Sequence, residues 1–360
     1  MSDDLWVMVM AGGAGTRFWP ASREHRPKQL LPILGDRPLL RRTVDRVLDL
    51  VGPERILVVA GQSHGREVRR VLADLPPENV ILEPMGRNTA AACGLAAWWL
   101  KQKAGHGVMA VLPADHLIEP TETFHQDLEA AALAARDGGR LVTLGLVPTR
   151  AETGYGYLEQ GDYLGEFHGR KAYELLSFKE KPDKATAKAY LAQGGYFWNA
   201  GIFIWEADSI LERTAELLPD LARGLKELAP ALLTENQEEA LARIYPGLPA
   251  VSVDFGIMEK AKGKCMIPAG FSWSDVGSWA EIHHLSDKDE SGNAAEGRVL
   301  CQDSENCLIK AGHRQVVLLG VKDLVVVETE DALLIMDKAK AQEVGLVLNA
   351  LREKGGKDLL

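Results

Sequence analysis

Short apolar runs alternate with longer one-sided apolar stretches through the first half of this chain. Residues 5–9 (LWVMV), 55–60 (RILVVA), 79–82 (NVIL), 108–112 (VMAVL) and 140–144 (RLVTL) are continuous apolar runs of strand length. Between them, 38–50, 63–75, 88–103 and 122–136 are long enough, and apolar enough on one face, for helices. Strand and helix alternating in this way imply a parallel sheet covered on both faces, with ligands bound beyond the carboxyl ends of its strands. From 152 to about 285 the alternation loosens. Strand patterns at 155–159, 175–178, 201–205 and 265–267 mix with helical ones at 183–191 and 207–217, an elaboration of the same domain. After Ser286 the period changes again. Short β-type runs begin at Val299, Leu308, Val316, Leu324 and Leu333, separated by Asp303, Gly312, Gly320 and Asp331, which predicts a small sheet or solenoid. A last helix over 338–354 places Val344, Val347, Leu348 and Leu351 on one face.

Composition narrows the function classes. A length of 360 residues predicts two domains, here 1–285 and 286–360. The net charge of -10 argues against a nucleic-acid backbone as the main partner. Cys93, Cys265, Cys301 and Cys307 show neither metal spacing nor a disulfide framework, as expected of a cytoplasmic protein. No apolar run reaches membrane-spanning length, and the opening MSDDLW lacks a signal-peptide pattern.

The chemistry concentrates in 10–33, MAGGAGTRFWPASREHRPKQLLPI. Gly12, Gly13 and Gly15 clear side chains from a turn after the first strand. Such a turn brings backbone N–H groups to an anion, and Thr16, Arg17 and Lys28 add a hydroxyl and mobile positive charge. A polyphosphate is the natural ligand. The dinucleotide fingerprint G-x-G-x-x-G fails, because Phe18 stands where its third glycine belongs; the G-x-x-x-x-G-K-[ST] loop fails because Lys28 is too far along. What remains, G-G-x-G-T-R with Pro27-Lys28 eleven residues beyond Arg17, resembles the signature of the sugar-phosphate nucleotidylyltransferases. Gly-Thr-Arg-Phe-Trp-Pro together with Pro-Lys-Gln is similar to that family's mannose-1-phosphate guanylyltransferase branch.

Other segments gain meaning beside the loop. Asp115 follows the strand ending at Leu112, where a carboxylate points into the ligand crevice, although a lone Asp there reads equally as a helix cap. Asp275, in Phe271–Trp279, reads alone as a turn residue. Together they offer two oxygen ligands for a divalent ion. His116 could orient that site or serve structure alone. Glu83-Pro84-Met85-Gly86-Arg87-Asn88-Thr89 joins a strand to a helix that Asn88 can cap. Thr153–Tyr157, Phe178–Pro182 and Trp198–Phe203 offer Gly154 for close approach of a sugar ring, Glu180 and Asn199 for its hydroxyls, and Lys181 for a phosphate, although alone Lys179–Lys181 reads as a solvated strand end and Trp198-Asn199 as a turn before a buried strand. Asp254 in Asp254–Lys260 reads as a helix cap.

The resemblance spans nearly the whole chain in six motifs. It implies an α/β fold, a Rossmann-like nucleotidyltransferase domain with a mixed, mainly parallel sheet, followed by a short left-handed β-helix. It implies GTP and mannose 1-phosphate as substrates and Mg²⁺ as cofactor, held by Asp115 and Asp275. Arg17, Lys28 and Lys181 would carry the charge of the reacting phosphates. Gly12, Gly13, Gly15, Thr16, Glu83, Arg87 and Asn88 would hold the nucleotide, and Gly154, Glu180 and Asn199 the sugar phosphate. Nucleic acid and membranes are not expected partners; the β-rich tail is a candidate homodimer contact. The same chemistry on another base or sugar, and a non-catalytic nucleotide-sugar-binding homologue, stay open. Longer family members carry an isomerase domain, for which this chain has no room, so a second activity is not expected.

Overall fold

Strand β1 (Leu5–Ala11) alternates two sets of buried side chains, and both sets are covered. Met8 joins Leu57, Val59, Met109 and Val111 in one apolar core, while Val7 and Val9 are buried on the opposite face. That double burial is why these strands are continuous apolar runs. The computed structural model describes residues 4–13, 15–356 and 359. Ala14 of the glycine loop and the first three residues lie outside the described residues.

In chain order the remaining elements of the large sheet and its cover are α1 (Leu39–Val51), β2 (Ile56–Gly61), α2 (Gly65–Val71), β3 (Val80–Glu83), α3 (Asn88–Ala104), β4 (Val108–Pro113), β5 (Leu117–Glu119), α4 (Thr121–Arg136), β6 (Leu141–Leu146), β7 (Tyr157–Phe167), β8 (Arg170–Lys179), α5 (Lys184–Gln193), β9 (Tyr196–Glu206), α6 (Ala207–Leu217), α7 (Pro219–Leu228), α8 (Gln237–Ile244) and β10 (Lys264–Pro268). The nine-stranded sheet runs β3-β2-β1-β4-β9-β6-β10-β8-β7, and β5 pairs with β11 (Ser272–Ser274) in a separate ribbon. Pairs β2/β3, β1/β2, β1/β4 and β6/β10 are parallel. Strand β9 runs antiparallel to both β4 and β6, and β7/β8 is a hairpin turning at His168 and Gly169, both at positive φ. The sheet is therefore mixed, its antiparallel pairs lying in the half where the apolar alternation loosens.

The described chain packs as two compact units that do not follow chain order. The first comprises Met1–Gly12, Thr43–Ala114 and Ile118–Trp273; the second comprises Gly13–Arg42, Asp115–Leu117 and Ser274–Leu360. This cuts across the linear division at 285 suggested by the change of period. The cause is a second apolar core. Phe18, Trp19, Leu31 and Ile33 of the glycine-loop segment are buried with Val276, Trp279 and Ile282, and with Leu308, Val325, Val344 and Leu348 from the β-rich tail.

In the second unit, α9 (Trp279–Leu285) leads into a coil built from β12 (Ala294–Glu296), β13 (Val299–Gln302), β14 (Leu308–Lys310), β15 (Val316–Leu319), β16 (Leu324–Glu328) and β17 (Leu333–Asp337). Ala294 pairs with Leu308, which pairs with Val325, all parallel. Val299 pairs with Val316 on a second side, and Glu305 bridges Lys322 on a third. Three-sided parallel stacking of this kind is a β-helix, filled by Cys307, Ile309, Leu318 and Val326. Strand β17 closes it antiparallel to β16. The chain ends in a 3₁₀ segment, Lys338–Glu343, and α10 (Val344–Glu353). Val344 and Leu348 are buried as the helical face predicts; Val347 instead is 37% exposed.

Candidate active site

The glycine loop folds back on its own lysine. Gly15 is left-handed (φ 58°, ψ 31°) and starts a 3₁₀ turn, Thr16–Phe18, whose Thr16 and Arg17 are exposed and whose Phe18 is buried. A Cβ on Gly15 would stand 2.4 Å from the Cβ of Lys28 and 2.8 Å from its backbone N, so only glycine permits this approach. Ser22 Oγ donates to the Gly15 carbonyl at 2.8 Å and Gln29 Nε2 to that of Gly13 at 3.3 Å, fixing the loop from two sides. Arg17 donates to Gln342 Oε1 at 3.2 Å.

Lys28 is 5% exposed. Its ammonium donates to Asp115 Oδ2 at 2.9 Å and to the backbone carbonyl of Asp275 at 2.7 Å, and lies 5.4 Å from the centre of the Phe18 ring. One buried cation thus gathers the two aspartates proposed for the metal. Burial alone would raise the Asp115 carboxyl, but the charges of Lys28 and His116 and the Lys28 hydrogen bond outweigh it and hold the group below the usual carboxylate range. His116 Nε2 stands 3.9 Å from Asp115 Oδ1, beyond hydrogen-bond reach, so its effect is one of charge. Asp275 is followed by Val276, wholly buried and left-handed at φ 47°. A β-branched residue there is strained, and the strain is held in place by packing. The Asp275 carboxylate lies over Gly277, whose absent Cβ would meet Oδ2 at 2.8 Å.

The donor set suits a divalent ion. Two carboxylates offer hard oxygens, and among the described residues no cluster of three or more His, Cys, Asp or Glu forms a closed cage. A Mg²⁺-sized ion is commonly held by one or two carboxylates, with phosphate and water completing its shell.

In the first unit, Gly12 and Ala114 directly follow the neighbouring parallel strands β1 and β4, and the Glu83–Asn88 loop follows β3 at the same carboxyl edge. Glu83 is buried and accepts a hydrogen bond from the Tyr245 hydroxyl; burial raises its carboxyl while that bond lowers it. Arg87 presents a buried Nε with no partner among the described residues. Asn88 is exposed and left-handed at φ 63°, and its Oδ1 accepts from the adjacent Thr89 N at 2.9 Å. It is not the side-chain cap the sequence suggests. The start of α3 is tied instead by Thr89 Oγ1, which accepts from Val253 N at 2.8 Å, and by Ala90 N, which donates to the Val251 carbonyl at 3.1 Å.

The sugar-type residues converge in the same unit. A Cβ on Gly156 would lie 2.7 Å from Glu180 Oε2 and 3.2 Å from the Cβ of Asn199, so these three residues crowd one point. Lys181, left-handed at φ 45°, pairs with Glu180 Oε1 at 2.9 Å. Glu180 N donates to Glu259 Oε1 at 3.1 Å. Gly154 N and Thr153 N donate to Glu152 Oε1 at 3.1 and 3.0 Å, which shapes the turn before Tyr155. Tyr155 meets Trp198 and Trp273 edge-on at 5.3 and 5.1 Å, and Arg150 lies over Trp198 at 5.3 Å. This aromatic wall carries no sequence signature.

Asp254 is no helix cap. It opens a five-residue π-helical turn, Asp254–Met258, and its Oδ1 accepts from Asn199 Nδ2 at 3.3 Å. Burial, then the charge of Glu180, push its carboxyl up to about 6 against the pull of Lys181 and Asn199.

A glycine loop that follows a parallel strand and holds a buried lysine against two aspartates defines a class, the phosphate-handling transferases that work with a divalent ion. The chain belongs to the nucleotidyl transferase family, whose model matches residues 6–292, and residues 297–351 match the MannoseP isomerase/GMP-like β-helix domain. Enzymes of this family use a divalent metal. Among its relatives are the mannose-1-phosphate guanylyltransferases of Klebsiella pneumoniae, 38% identical over 97% of this chain and 74% of the relative, and of Escherichia coli, 37% identical over the same shares. A Thermus thermophilus crystal structure described as mannose-1-phosphate geranyltransferase superposes with a TM-score of 0.87 at 35% identity, covering 97% of this chain and 99% of that one. A Helicobacter pylori mannose-6-phosphate isomerase structure, 22% identical with a TM-score of 0.61, shares the fold over 75% of this chain and 99% of its own. No helix among the described residues is long and apolar enough to cross a membrane.

Proposed function

We propose that this chain transfers GMP from GTP to the phosphate of α-D-mannose 1-phosphate, giving GDP-mannose and pyrophosphate. The observation that carries the reading is the buried Lys28 ammonium bonded to the Asp115 carboxylate and to the backbone carbonyl of Asp275 beside a glycine loop. The difficulty of the reaction is joining two anions. Exposed Arg17 and the N–H groups of the glycine loop receive the phosphates that leave as pyrophosphate. Lys28 keeps Asp115 ionised and in place, and adds positive charge next to the reacting phosphates. Asp115 and Asp275 would hold Mg²⁺, which when bound supplies Lewis-acid charge to phosphate oxygens. Lys181 holds the attacking sugar phosphate, Glu180 and Asn199 its hydroxyls, and Gly154 leaves room for the ring. Attack is in line on the α-phosphorus and needs no covalent intermediate on the protein. The nucleotide rests on Gly12, Gly13, Gly15 and Thr16, with Glu83, Arg87 and Asn88 at the base. The unpartnered Arg87 Nε supports a ligand there.

The substrates are small and water-borne, so the reading includes a cytoplasmic enzyme with neither nucleic acid nor membrane as partner. It also includes a homodimer. Leu300 and Val317 are neighbours in register, 54% and 56% exposed, and support a subunit contact on the β-helix.

Pyrophosphate release is measured with GTP, ATP, dTTP, CTP and UTP crossed with mannose 1-phosphate and glucose 1-phosphate, with and without Mg²⁺. Metal-dependent release confined to GTP with mannose 1-phosphate is expected. Another productive pair would move the base or sugar assignment. Nucleotide binding without release would favour a regulatory homologue.

A further inference from the structure

We propose that Asp254 is a positioning residue for the sugar phosphate, acting through the side-chain amide of Asn199; this rests on the reading of Asn199 as a sugar contact. The orientation of that amide follows from chemistry. Gly201 N can only donate, and it points at Asn199 at 3.1 Å, so the atom it meets is the carbonyl Oδ1. The Thr143 hydroxyl lies 3.1 Å from the same oxygen. With Oδ1 committed to the protein, Nδ2 faces Asp254 Oδ1 at 3.3 Å. An amide nitrogen carries two hydrogens, and the second has no partner among the described residues. Asn199 is 8% exposed and its backbone N donates to the Gly156 carbonyl at 2.8 Å, so its backbone is held and the last side-chain torsion is the freedom that the contacts on the amide must restrain. Asp254 thereby fixes the direction of the one hydrogen left for a substrate hydroxyl. Without it, the amide can turn about its last torsion and the donor loses its aim.

The groups that face Asp254 are Glu180 and Lys181 from the end of β8, Asn199 from β9 and the buried Cys93 from α3. An ionised Asp254 is a stronger acceptor for Asn199 than a protonated one. The grip on Asn199 therefore loosens as acid protonates the carboxyl, near pH 6. The second ionisation of a phosphate monoester falls close by, at about 6. Variants that change one titration and not the other separate the two.

The test uses the full chain and steady-state kinetics for both substrates from pH 5 to 8.5, with melting curves for each variant. Asp254→Ala is expected to raise the KM for mannose 1-phosphate about tenfold at pH 8 and leave the KM for GTP within twofold. Asp254→Asn keeps an oxygen that can accept from Asn199. It is expected to stay within about threefold of the parent at pH 8 and to lack the part of the acid limb that the parent alone shows. In an Asn199→Ala background, Asp254→Ala adds nothing. Equal effects on both substrates, an unchanged acid limb in Asp254→Asn, or full additivity with Asn199→Ala would overturn the proposal. If Asn199→Ala by itself leaves the mannose 1-phosphate KM unchanged, the fault lies in the reading of Asn199. If Asp254→Ala melts at the assay temperature, the Asp254→Asn pH profile still decides.

Discussion

Replacing Gly15 by alanine tests the link between the glycine loop and Lys28. The new Cβ would stand 2.4 Å from Lys28 Cβ and 2.8 Å from Lys28 N. A comfortable carbon contact begins at about 3.4 Å, so Lys28 must withdraw by about 1 Å. One of the struck atoms is backbone, so no side-chain rotation relieves the overlap. A withdrawal of about 1 Å stretches the 2.9 Å bond to Asp115 and the 2.7 Å bond to the Asp275 carbonyl to about 3.9 and 3.7 Å, beyond hydrogen-bond range. A charge-assisted bond contributes about 1.5–3 kcal/mol, and alanine held left-handed costs roughly 1–2 kcal/mol more. The local cost is then about 3–5 kcal/mol after partial relaxation.

Gly12 and Gly13 provide the controls. Neither would bring a Cβ within 4 Å of another atom among the described residues, and of the two only Gly13 has a positive φ, at 96°. Urea denaturation is expected to order the variants Gly12→Ala, Gly13→Ala, Gly15→Ala, with losses of about 0, 1–2 and 3–5 kcal/mol. For Gly15→Ala, folded at low temperature, turnover is expected to fall about a hundredfold, because a misplacement of about 1 Å suffices for that loss. A Gly15→Ala enzyme that unfolds with Gly13→Ala and turns over within threefold of the parent would refute the argument.

Three further expectations follow from single contacts. Lys28→Met should lower turnover by about a hundredfold with the fold kept; since Lys28 holds the Asp115 carboxyl low, the stability it gives is present above the ordinary carboxylate range and lost as pH falls through the depressed value, so the parent and Lys28→Met denaturation midpoints should converge in acid. Tyr245→Phe leaves buried Glu83 without its donor and should cost about 1–3 kcal/mol by urea titration; because burial already raises Glu83, the deficit should grow as pH rises past that group and shrink on acidification, and a pH-independent deficit would point to packing alone. Gln342→Ala frees Arg17 and should raise the GTP KM two- to fivefold with no added effect in an Arg17→Ala background, as stopped-flow nucleotide binding would show; independent, additive losses would exclude the tether.

Much of the frame was legible in the sequence because it is written in local pattern. Strands buried on both faces carry runs such as 108–112, and the helical pattern over 207–217 coincides with α6. Helices α7 and α8 are hidden in the sequence, although Leu221, Leu225 and Leu228 make a buried stripe on α7, because Pro219 and the breaks around them mask the period. Chemistry confined to one segment was also readable, as with Gly15 and Lys28 in a single loop.

What sequence withholds is the partner of a polar side chain. Asn88 and Asp254 both carry good capping side chains, and propensity alone makes a cap of each. In the fold each oxygen finds another use. Thr89 already satisfies the neighbouring segment for Asn88, and Asn199 claims Asp254 from a strand 55 residues away. The same holds for the aspartates around Lys28, 87 and 247 residues distant, whose meeting depends on tertiary packing. The packing units carry this further. The signature loop shares its apolar core with the β-helix and α10, so Phe18 and Trp19, which look like part of a phosphate motif, are there to be buried against Trp279, Val344 and Leu348. On this account the motif is conspicuous for two separable reasons. Its glycines, Arg17 and Lys28 answer to phosphate, and its aromatic pair answers to the second core. Substitution of Trp19 should therefore lower stability in proportion to lost apolar volume, by about 3–5 kcal/mol for Trp19→Ala, and should affect turnover only through that loss, whereas Phe18→Ala should also remove the ring that lies 5.4 Å from the Lys28 ammonium.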